Sequence, residues 1–128
     1  MIVNYVRLNE LPAFDEDWSP ITGAMRRGEF FVSTGEVLIP SHEVEGFVDR
    51  KTFVAEVEWT FPLEFVELVW GDGKATGRQV LATTGLGSFG RKTFRMEFDS
   101  PGKKWVRFAA WDSAGNGAFT QPVHLSGR

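Results

Sequence analysis

Residues 52–61 read TFVAEVEWTF, and this stretch decides the fold class. Phe53, Ala55, Val57, Trp59 and Phe61 recur at every second position, with Glu56, Glu58 and Thr60 between them. Successive side chains of an extended chain point to opposite faces, so the pattern predicts a strand with one face in a core and the other in water. Residues 91–98, RKTFRMEF, repeat it: Phe94, Met96 and Phe98 face inward, Thr93, Arg95 and Glu97 outward. Residues 63–70, LEFVELVW, are apolar on both sides, as a central or covered strand would be.

From Glu29 onward, runs rich in Val, Phe and Trp are separated every ~8–12 residues by Gly, Pro, Asp or Ser, which is strand spacing. The candidate strands are 30–33, 36–40, 43–48, 52–60, 63–70, 78–84, 91–98, 104–111 and 117–125, with one of the earliest expected to merge or drop out. No stretch after residue 28 has helical period, and parallel strands need crossover helices. The chain is therefore expected to be all-β, an antiparallel sandwich of about 7–9 strands. Gly71-Asp72-Gly73 and Ser100-Pro101-Gly102 read as tight turns, and the Gly-rich TTGLGSFGR as a hairpin loop.

Residues 105–125, WVRFAAWDSAGNGAFTQPVHL, set Asp-Ser-Ala-Gly-Asn between two apolar runs. Asp112 can accept backbone N–H groups two or three residues on, and Gly115 can take positive φ, so the insert is expected to close a hairpin. Phe119, Val123 and Leu125 are expected to share one buried face beyond it. Pro122 cannot donate to a ladder and is placed at an edge or a bulge.

Before the strands, residues 1–18 show no sustained period and carry Asp15, Glu16 and Asp17; they read as a linker or tail. A short helix over 20–27 follows, with Ser19 as N-cap, Pro20 at the first helical position, Arg26 and Arg27 in the last turn and Gly28 as the left-handed stop. Ile21, Ala24 and Met25 form its apolar stripe. The division is thus 1–28, a junction segment, and 29–128, the sandwich.

Composition removes several classes of function. A net charge of -3 and only scattered Lys and Arg pairs predict no nucleic-acid surface. The absence of cysteine removes disulfides, thiolate metal sites and a Cys nucleophile. The apolar runs are far too short to span a bilayer as helices, and no membrane partner is expected.

Two segments carry a resemblance. AWDSAGNGAFTQPV (110–123) resembles the final hairpin of bacterial immunoglobulin-like domains. DWSPITGAMRRGEFFVSTGEVLI (17–39), PLEFVELVWGDG (62–73) and WVRFAAWDSAGNGAFTQPV (105–123) together resemble the region downstream of the catalytic barrel in PHP-type metallohydrolases of the CehA/McbA kind. The resemblance spans about Val6 to Leu125 and implies an immunoglobulin-like β-sandwich that serves as a C-terminal accessory module. It also implies that the chain is a fragment of a longer, bacterial parent whose upstream catalytic domain is its partner. The barrel's metal-binding His-x-His element has no counterpart here, so no hydrolase residue carries over.

The remaining chemistry is sparse. Ser41, His42 and Glu43 are adjacent on a strand, and neighbouring strand residues face opposite ways, which precludes a relay. His124 is expected on the surface. A zinc site joining His42, His124 and a carboxylate across the sheets finds no support in spacing, and Asp72, Asp99 and Asp112 read as turn caps rather than calcium ligands. No catalytic residue, metal or cofactor is expected. Five Trp and twelve Phe exceed what a small core hides easily. Trp70, Trp105 and Trp111 are the candidates for ligand stacking, with a carbohydrate-binding sandwich as the alternative function. Trp18, Phe30 and Phe31 are the candidates for a seam with a neighbouring domain.

Overall fold

The structure, a computed structural model, describes residues 2–125; the last three residues of the expected 29–128 sandwich lie outside them. The elements run β1 (Val3–Val6), α1 (Ser19–Arg26), β2 (Phe30–Ser33), β3 (Val37–Phe47), β4 (Arg50–Trp59), β5 (Leu63–Gly71), β6 (Thr76–Ala82), β7 (Gly90–Asp99), β8 (Trp105–Asp112), β9 (Gly117–Thr120) and β10 (Val123–His124). All pairings are antiparallel. One sheet has the order β3-β4-β7; the other has β1-β2-β9-β8-β5-β6, with β10 also on β8. Within these, β3-β4-β7 facing β6-β5-β8-β9 is the Greek-key order of an immunoglobulin-like sandwich.

The alternation read from residues 52–61 is real as far as Trp59. Phe53, Ala55, Val57 and Trp59 are buried, as are Phe94, Met96 and Phe98 on β7 and Val106, Phe108 and Ala110 on β8. Phe53 and Phe108 stack across the sheets at 5.7 Å between centroids and are fully buried. Each such side chain contributes about 2–3 kcal/mol relative to an exposed one. Phe61, expected inward, is exposed, because β4 ends at Trp59 and the chain bends before Pro62.

Four further expectations are corrected. Residues 3–6, read as linker, form β1, which pairs with β2 from Val3↔Ser33 to Val6↔Phe30 across the intervening helix. The helix begins at Ser19 with Trp18 in the capping position, since the Asp17 carboxylate takes both the Ser19 N–H and its hydroxyl (3.0 and 2.7 Å). Gly28 stops it as expected, at φ +74°. The loop after Ala82 carries the chain from one sheet to the other instead of closing a hairpin, and the Trp59 indole N–H donates to the Gly87 carbonyl within it (3.2 Å).

The fourth correction concerns phase. The candidates 36–40 and 43–48 are one strand, β3, whose pairing with β4 slips by one residue between Leu38 and Ser41, at Pro40. Likewise 117–125 splits at Gln121-Pro122 into β9 and β10. A one-residue slip reverses the side-chain faces. Hence Val37 and Ile39 point inward before Pro40, whereas His42 and Val44 lie opposite the buried Ala55 and Phe53 after it. On the other sheet, Ala118 and Thr120 are buried before Pro122 and Leu125 after it. Phe119 therefore lies on the outer face, half-buried beneath the Arg107 guanidinium at 5.0 Å.

Candidate functional site

The two proline interruptions face one another. Pro40 and Pro122 both line a cleft of about 580 Å³ at the side of the sandwich where β1, β2, β3 and β10 meet. A proline removes a ladder donor, and a bulge bends its strand, so neither sheet runs regularly past this point. The cleft is what the irregularity leaves open.

Its walls come from both sheets. On β1 and β2, Tyr5 stands opposite Phe31 and stacks on it at 5.0 Å with the rings 5° from parallel. On β3, the slip at Pro40 turns His42 inward, where it stacks on Phe53 at 5.9 Å. Burial holds the His42 imidazolium below its ordinary value of 6.5, and the nearby Arg7 charge lowers it further, so the ring is neutral near pH 7. Arg7, Gln121 and His124 lie on the rim, together with Arg27 and Glu29. The latter two form an ion pair at 2.6 Å, and the Arg27 hydrogen bond draws the Glu29 carboxyl below its usual range. Arg7 has no ion-pair partner within 4 Å among the described residues.

Both histidines thus reach one cleft from different strands. His42 faces in, with Ser41 and Glu43 exposed on either side, which leaves no relay. His124 is exposed, as expected. Among the described residues no group of three or more metal-binding side chains is clustered.

The aspartates have turn roles. Asp112 Oδ1 accepts the N–H groups of Ala114 and Asn116 (2.9 and 2.8 Å), and Gly115 sits at φ +84°, closing the β8–β9 hairpin. Asp72 Oδ1 accepts those of Lys74 and Ala75, both at 2.8 Å. Asp99 differs: it pairs with Arg50 at 2.7 Å across the β4–β7 ladder.

Four of the five tryptophans follow one rule. Trp59 lies opposite Gly90, Trp70 opposite Gly77, Trp105 opposite Gly71 and Trp111 opposite Gly117. In each case the indole covers the glycine: a Cβ there would come within 3.0 Å of the ring, and at Gly117 within 2.1 Å. Glycine leaves a gap in a sheet face and an aromatic ring on the next strand fills it. Trp70 is also covered by the Lys103 ammonium at 4.7 Å, and the Trp111 indole N–H donates to the buried Glu67 carboxylate at 2.7 Å. Trp105 and Trp111 share the outer face, six residues or about 20 Å apart, while Trp70 faces the other way. The three stacking candidates therefore form no single platform.

Of the seam candidates, Phe30 and Phe31 are half-buried and line the cleft. Trp18 stands apart from it at the start of α1, 48% exposed, with its indole N–H on the Phe14 carbonyl at 3.4 Å. On the segment before it, Leu11 and Phe14 are 73% and 94% exposed. Tyr5, Arg7 and Gln121 were not singled out in the sequence; the prolines at 40 and 122 were the only local sign that the strands break there.

Among the described residues no helix is long and apolar enough to cross a membrane. Comparison with family models, with curated proteins and with solved structures finds no match to the chain.

Proposed function

We propose that the chain is a non-catalytic interaction sandwich that docks on a larger domain of the same protein. In the resemblance noted above, that domain is the catalytic barrel of a PHP-type metallohydrolase. The observation that carries the reading is the exposed apolar run of Leu11, Phe14 and Trp18 on the segment between β1 and α1. Large apolar side chains grouped on one exposed segment mark contact surfaces more often than free surface. Phe30 and Phe31, the other seam candidates, follow the helix on β2 and line the cleft. The sandwich itself supplies rigidity, and the irregular segment 7–18 supplies the contact.

The test is co-expression with the upstream domain and hydrogen exchange on the joined and separate proteins. Docking predicts slowed exchange around Phe14, Trp18 and Phe30 in the joined protein. Two domains that tumble independently, with exchange at those positions unchanged, would sink it.

A further inference from the structure

The cleft between β1, β2, β3 and β10 has the dimensions of a small-molecule site, since such pockets run from ~300 to ~1,000 Å³. Its walls are apolar where the sheets part: Phe30, Phe31, Ile39 and Val123 lie there. Tyr5 is engaged on one face with Phe31, and His42 on one face with Phe53. The two histidines lack a third metal-binding partner among the described residues.

What the cleft does offer is positive charge beside an apolar wall. The lining carries two guanidinium groups, Arg7 and Arg27, against the single carboxylate of Glu29, which is ion-paired with Arg27 and also feels the Arg7 charge, so one positive charge is in excess. That excess is local, because the chain as a whole carries -3. The Gln121 amide, the Tyr5 hydroxyl and the inward-facing His42 ring line the same cleft as Arg7. A guanidinium with neutral donors on one side and a sandwich interior on the other suits a carboxylate attached to an apolar body.

We infer that the cleft is a binding site for an amphipathic organic monoanion, its acid group on Arg7 and its apolar part between Phe31, Ile39 and Val123. The site shares Phe31 with the seam candidates, but its anion contact, Arg7, lies outside residues 11–18, and ligand binding is read on this chain alone whereas docking is read on the joined protein, so each stands or falls by its own measurement.

Octanoate is a suitable probe, with 1-octanol as its uncharged counterpart, in a titration followed by backbone amide NMR of the intact chain. Octanoate is expected to shift the amides of Tyr5, Arg7, His42 and Gln121 saturably. Octanol should bind at least about tenfold more weakly, the loss of one charge-assisted contact. Arg7→Gln, at an exposed position, should lower octanoate to the level of octanol while leaving octanol unchanged. Equal affinity of the two probes would overturn the inference, as would an undiminished response in Arg7→Gln or shifts confined to other parts of the chain. The comparison of probes on the unaltered protein decides the matter even if the variant does not fold.

Discussion

Trp105 stands directly opposite Gly71 in the β5–β8 ladder, and its indole covers the glycine so closely that a methyl group there would lie 2.5 Å from ring atoms. The same relationship recurs at Trp111 and Gly117, where the distance falls to 2.1 Å. Neither glycine has positive φ, so space rather than backbone freedom selects them. Gly117→Ala and Gly71→Ala are each expected to cost about 1–3 kcal/mol, the range for overpacking. Urea unfolding measures it, and Trp fluorescence should report the displaced indole. Gly23 in α1 is the contrast, since a methyl there meets only the mobile end of Arg27 at 3.1 Å. Gly23→Ala is expected to stabilise by about 0.5–1 kcal/mol.

The β8–β9 turn hangs on one carboxylate. Asp112→Ala removes the acceptor for two backbone N–H groups and should cost about 1–3 kcal/mol. The turn reading also predicts that calcium and a chelator leave the melting temperature of the unaltered chain where it was. A calcium-dependent rise abolished by Asp112→Ala would reassign the loop to a metal.

His42 gives a pH dependence of known sign. Its folded-state value lies below 6.5, so the unfolded chain binds the proton more readily. The stability that this residue contributes is complete above pH 6.5 and declines as pH falls through its lowered value. His42→Gln is expected to flatten that part of a stability-versus-pH curve. The fall at more acidic pH, where Asp17, Glu29 and Asp72 take up protons, should persist in the variant.

Val48, at the tip of the β3–β4 hairpin, has φ +40° and is 79% exposed. A β-branched residue in that region is strained, by about 1–2 kcal/mol for L residues in general. Val48→Gly should therefore raise the urea midpoint, because little burial is lost in exchange. A lower midpoint would show that the exposed valine is held by contacts its accessibility hides.

The sandwich was legible because alternation is a local property. Phe53 to Trp59, Phe94 to Phe98 and Val106 to Ala110 each report their face without knowledge of any partner strand. Alternation fails where a count of two is carried past an interruption. Alternation alone places Phe119 inward together with Val123 and Leu125, yet the break at Gln121-Pro122 puts the two groups on opposite phases. The strand at Val3–Val6 is four residues long and finds its partner only beyond a helix, so nothing nearby in sequence announces it. The surplus of tryptophan looked like a surface; it is mostly the complement of four glycines, a relation visible only once register is known. The cleft was illegible for the same reason: Tyr5 with Arg7, His42 and Gln121 come from three separate stretches, and only strand pairing brings them together.

β1 joins its sheet through β2 alone, at the outer margin, and the cleft is bounded by that terminal strand. Tension applied upstream of Val3 would peel the strand away rung by rung and carry Tyr5 and Arg7 off with it. Mechanical load on the chain's leading end and a molecule wedged beside Arg7 are therefore opponents, one unfastening the strand that the other clasps.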